Sequence, residues 1–111
     1  MREASYSIIR DTESGEVVRM DFKWTTEKKK IVAFSINVSI LEDENSTDVY
    51  RIDTSHGYMH EHRFWKSLKP EMIDMNYNRA FIEKKNEVIK NYARWIMLFK
   101  KARGEEYGQN R

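Results

Sequence analysis

All three histidines of the chain, His56, His60 and His62, lie within seven residues, in the run Asp53-Thr54-Ser55-His56-Gly57-Tyr58-Met59-His60-Glu61-His62-Arg63. On an extended strand the i, i+2 spacing of His60 and His62 puts both imidazoles on one face, roughly 7 Å apart at Cα. Two such rings can take neighbouring positions on a metal. They can also act as acid and base in phosphodiester cleavage, because an unperturbed imidazole titrates near pH ~6.5. His60 and His62 are therefore the candidate catalytic pair, with His56 assisting. Arg51 and Arg63 are the candidate phosphate ligands, provided they reach around the strand edge. A plainer alternative stands beside this one: a polar-tipped piece of core whose rings bond to tyrosines or backbone carbonyls.

The hairpin that must position these rings turns at Ser55-His56-Gly57. A three-residue turn needs positive φ only at Gly57, whereas a two-residue turn at His56-Gly57 needs it at histidine as well. The longer turn is expected on backbone cost, with Asp53 capping the turn amides. It pairs Arg51 with Glu61. Tyr50, Ile52, Thr54, Tyr58, His60, His62 and Phe64 then share the core face, and Val49, Arg51, Asp53, Met59, Glu61, Arg63 and Trp65 share the other. In that register Asp53 and Glu61 point away from the histidines. That leaves only His56 at the turn as a third metal ligand, so neither a metal nor another cofactor is expected.

Around the hairpin the chain reads as strands first and helix last. Residues 16–24 alternate with period two, Val18, Met20, Phe22 and Trp24 on one side. Residues 31–41 repeat the pattern with Val32, Phe34, Ile36, Val38 and Ile40. Shorter strands are expected at 5–10, 49–54 and 58–65, and Pro70 marks the exit from the sheet. Met72, Ile73 and Met75 in the linker 66–77 are free to lie across an edge. A helix follows at about 79–103, with Asn78 as N-cap and Gly104 just past its end. Phe81, Lys85, Val88, Tyr92, Trp95 and Phe99 form its stripe, widened by Ile82, Ile89 and Ile96. Met97 and Leu98 extend the apolar surface toward a candidate homodimer contact. A frayed tail is expected at 104–111. The result is a single α+β domain over 1–111: an antiparallel meander of four to five strands, one face covered by a long C-terminal helix.

Composition removes several chemistries. There is no cysteine, hence no disulfide, thiol nucleophile or cysteine zinc site. With only four glycines there is neither a glycine-rich phosphate loop nor a nucleophile elbow. No apolar run has the length of a membrane span, and Met1-Arg2-Glu3-Ala4-Ser5 opens no signal peptide, so a cytoplasmic protein with no membrane contact is expected. The formal net charge of +2 is too small to argue for nucleic acid by itself. One basic surface could nonetheless track an RNA backbone: Lys28, Lys29 and Lys30 together with the helix residues Lys84, Lys90, Arg94, Lys100, Lys101 and Arg103. The exposed sheet face, with Arg19, Lys23, Ser35, Asn37, Ser39, Arg51 and Arg63, is another polar platform, but few aromatics are expected there for base stacking, which weakens an RNA reading of it.

The run from Tyr50 to Phe64 also resembles the histidine-rich hairpin of TumE-like toxins of toxin–antitoxin systems and related small prokaryotic proteins. Those proteins are similar in size and are built as a strand meander ending in a helix, with an Asp ahead of the histidines. The resemblance covers about fifteen residues, placing the Asp at Asp53 and the histidines at His56, His60 and His62. Thr54 stands where many of these toxins have Asn. It implies an RNA-directed or translation-blocking toxin with a cognate antitoxin protein as partner.

Overall fold

In the computed structural model, which describes residues 1–104, six strands follow one another across a single antiparallel sheet: β1 (Arg2–Asp11), β2 (Val17–Glu27), β3 (Lys30–Glu42), β4 (Asn45–Asp53), β5 (Met59–Arg63) and β6 (Glu71–Ile73). One helix, α1 (Tyr77–Ala102), covers one face. The α+β meander with its C-terminal helix is the expected architecture, with one strand more. β6 comes from the linker and pairs Ile73, Met72 and Glu71 with Met59, His60 and Glu61. The expected frayed tail falls, beyond Gly104, outside the described residues.

The period-two stripes drive the packing. Val18, Met20 and Phe22 on β2, Phe34, Ile36, Val38 and Ile40 on β3, and Ile52 on β4 meet Phe81, Val88, Trp95 and Ile96 of α1 in one core. Each such side chain contributes about 1.5–3 kcal/mol on burial. Asn76, not Asn78, caps the helix, accepting from the Arg79 amide at 3.2 Å. Asn78 instead accepts from the Ile31 amide at 3.0 Å, tying the first helical turn to the start of β3. At the other end Gly104 takes the left-handed φ of 83° and its amide bonds to the Lys101 carbonyl.

Two bulges shift side chains off the expected faces. Thr25 pairs with Ala33 and Thr26 with Ile31, so Val32 is the extra residue and turns outward. Val38 pairs with Tyr50 and Ser39 with Asp48, so Val49 is extra and is buried together with Tyr50. The helix lies chiefly over β3 and β4. Ile96 is therefore buried, while Ile82 and Ile89 stay 59% and 41% exposed. Met97 is exposed too, whereas Leu98 is half-buried against the core. β1 forms one edge of the sheet, its outer side without a neighbouring strand among the described residues.

The largest correction concerns the histidine hairpin. Asp53 pairs with His60, Ile52 with Glu61, Arg51 with His62 and Tyr50 with Arg63, one residue away from the expected register. Every side chain of β5 therefore sits on the opposite face. The turn contains two left-handed residues, His56 at φ 68° and Gly57 at φ 82°. A histidine there costs about 1–2 kcal/mol. That cost is offset by Met59, which the observed register buries to 1% exposure and the expected one leaves outside.

Candidate nucleic-acid interface

Strand pairing arranges the face that α1 leaves uncovered into cross-strand rows. One runs Ser5, Lys23, Ser35, Asp53, His60, and the next Ser7, Asp21, Asn37, Arg51, His62. Along β5 and its flanks, Tyr58, His60, His62 and Phe64 form a column of rings. Successive centroids are 5.4, 5.7 and 5.1 Å apart, and His62 stacks on Phe64 at 17°. The His56 ring stands 6.1 Å from His60 at the head of the column. The open face is thus not poor in aromatics, because the register shift carries these rings onto it.

Asp53 organises this column. Its carboxylate accepts from the Ser55 amide at 3.1 Å, the Ser55 hydroxyl at 2.6 Å and Arg51 Nε at 2.8 Å. His60 Nε2 lies 2.9 Å from its Oδ1. Burial opposes the charge on Asp53, but the Ser55 and Arg51 hydrogen bonds and His60 hold its carboxyl below the usual carboxylate range. Nδ1 of His60 and Nδ1 of His62 are both buried without a hydrogen-bond partner among the described residues. Nε2 is then the His62 nitrogen open to a ligand. Arg51 uses only Nε on Asp53, and its terminal nitrogens stay available on a half-exposed side chain.

Arg63 departs from its expected place beside the phosphate. It faces α1, where its guanidinium lies 3.3 Å from Glu61 and 3.1 Å from Glu87, with its carbon 5.2 Å from the Trp95 ring centroid. Glu61, 4% exposed, also accepts from the Tyr50 hydroxyl at 2.6 Å and pairs with Lys84 at 3.0 Å. Burial works against the Glu61 charge, yet Tyr50, Lys84 and Arg63 together keep its carboxyl below the ordinary range. Burial and the adjacent Glu61 charge push the Tyr50 phenol far up. Lys84 therefore belongs to the interior, not to an exposed basic helix face.

The expected lysine track is interrupted as well. Lys28 and Lys29 form a two-residue turn at φ 52° and 66° next to the helix start, to which Ile31 is tied. Lys100 pairs with Glu16, and Arg103 lies 3.6 Å from Glu42, at the far end of the helix. Lys23 and Arg51 share the open face as expected, whereas Tyr58 and Phe64, expected toward the core, join them there. Met59 carried the signal: an apolar residue alternating with the histidines sends them outward when it goes in.

With this geometry in view, a family model described as a domain of unknown function, DUF7718, matches residues 1–105. The chain belongs to that family. No curated protein and no solved structure matches it. Among the described residues of this DUF7718 domain no group of three or more His, Asp or Glu side chains is placed to hold a metal ion. Nor is any helix long and apolar enough to cross a membrane.

Proposed function

We propose that the open face of the sheet binds single-stranded RNA in the cytoplasm, in line with the RNA-directed action that the hairpin resemblance to TumE-like toxins implies. The observation that supports this reading is the column of Tyr58, His60, His62 and Phe64 beside Arg51, whose terminal nitrogens Asp53 leaves unused. Any base can stack on such rings while a cation meets its phosphate. His60 is held by Asp53, so His62 is the histidine left for proton transfer through Nε2.

Fluorescence anisotropy of a short single-stranded RNA tests the binding. Tyr58→Ala should weaken it by about 5- to 100-fold, the range for loss of one base–ring stack. Arg51→Ala should weaken it and flatten its salt dependence. Binding unchanged in both variants would sink the proposal. Toxicity is tested by growth of a bacterial host expressing wild type or His60→Ala/His62→Ala. Arrest by the wild type alone supports a toxin, and rescue by a co-expressed neighbouring small protein supports an antitoxin partner.

A second reading, a non-catalytic binding or assembly module with structural histidines, is favoured by His60, whose Nε2 is occupied by Asp53 and whose Nδ1 is buried. It predicts full RNA retention and lowered stability in the histidine variants. A homodimer through Met97 belongs to this reading, and sedimentation of Met97→Lys against wild type tests it.

A further inference from the structure

Beside the ring column the open face sinks into a depression of about 620 Å³ that spans β1 to β4. Its lining includes Ser5, Lys23, Ser35, Arg51, Asp53 and Ser55. Lys23 has no carboxylate partner among the described residues, and Arg51 has two terminal nitrogens to spare. Asp53, 6% exposed, keeps its charge, and its ion pair with Arg51 balances it, so the net positive charge of this space comes from Lys23 while Arg51 supplies hydrogen-bond donors. Hydroxyls from Ser5 and Ser35 flank Lys23 on the neighbouring strands. An unpaired ammonium, a bidentate guanidinium edge and strand-borne hydroxyls are the donor set that phosphate oxygens take.

We infer that this depression is a phosphate subsite, filled by the phosphate of a nucleotide whose base lies on the Tyr58–Phe64 column. The inference rests on the RNA reading for its base, and on Lys23 and Arg51 alone for its phosphate. Glu3, an exposed carboxylate also lining the depression, opposes the anion and sets an upper limit on affinity.

Amide-shift titrations with adenosine 5′-monophosphate, adenosine and inorganic phosphate read the subsite directly. The monophosphate should bind about tenfold tighter than adenosine in the wild type, the size of one charge-assisted contact. Lys23→Ala and Lys23→Gln should each bring that ratio close to one without weakening adenosine. Glu3→Gln should raise it, and Tyr58→Ala should weaken both nucleoside ligands while keeping the ratio. Equal binding of the two ligands by the wild type, or a ratio that survives in both Lys23 variants, overturns the subsite. Phosphate perturbing the Lys23 and Arg51 region while a short RNA fails to bind would uphold the subsite and reject the polynucleotide as its source. Tight RNA binding unaffected by Lys23→Ala would do the reverse.

Discussion

The two faces of β5 carry charge in opposite ways. Toward the helix, Glu61 is enclosed by the Tyr50 hydroxyl, Lys84 and Arg63, and Arg63 is closed off in turn by Glu87 and the Trp95 ring. Toward the open side, Asp53 orders Ser55, Arg51 and His60, yet two imidazole nitrogens remain buried without partners among the described residues. A satisfied buried network stabilises one packing of strand against helix. Polar atoms that find no partner within the protein are the ones that water or a ligand can satisfy. The contrast puts the satisfied network on the helix side and the unsatisfied one on the open side of the same five residues.

Breaking the helix-side network should have the largest effect. Glu61→Ala leaves Lys84, Arg63 and the Tyr50 hydroxyl around an empty centre and should cost about 3–5 kcal/mol in urea unfolding. A loss under about 1 kcal/mol would mean that the network is ornamental. Tyr50→Phe deletes one hydrogen bond to a charged acceptor and should cost about 1.5–3 kcal/mol in the same assay.

Acid sharpens the comparison because both carboxylates are held below their ordinary values, 4.5 for Glu61 and 3.8 for Asp53. A group with a depressed folded pKa contributes fully above its unfolded value and loses that contribution as pH falls through the folded one. Urea midpoints measured from about pH 6 down to about pH 2 should therefore drop below pH 4.5, and the Glu61→Gln variant should drop less steeply. An equally steep fall in that variant would assign acid sensitivity elsewhere, Glu16 first. Burial opposes the Glu16 charge, but its bond to Lys100 and those to Ser14 and Thr12 lower its pKa to about 2.

The smallest effect is expected on the open side. His60→Phe keeps the ring, removes the orphaned Nδ1 and leaves Asp53 bonded to Ser55 and Arg51. It should shift stability by less than about 1 kcal/mol. A loss as large as that of Glu61→Ala would erase the distinction between the faces.

The architecture was legible because β2, β3 and α1 announce themselves by period. Val18-Met20-Phe22 and Phe34-Ile36-Val38 alternate, and Phe81, Val88 and Trp95 recur at helical spacing. What the pattern could not supply was parity. A hairpin slipped by one residue keeps the same alternation, and only the cost of leaving Met59 outside decides between the two. The bulges at Val32 and Val49 were hidden for a related reason, since an extra valine in an apolar run breaks no pattern. β6 is three residues long and owes its existence to the partner strand it meets. Glu61 and Lys84 look like surface residues in the sequence because nothing local distinguishes a charge that will be enclosed by its counter-ions.

The free edge of β1 has a consequence for solubility. Ten extended residues with an outer side unpaired among the described residues could recruit the same strand of another molecule and grow into stacked sheets. Antiparallel pairing that keeps like faces together permits two centred registers. One sets Arg2 against Arg10, and the other sets Glu3 against Asp11. Each apposes like charges at both ends of the strand, so β1 acts as its own gatekeeper against fibril growth.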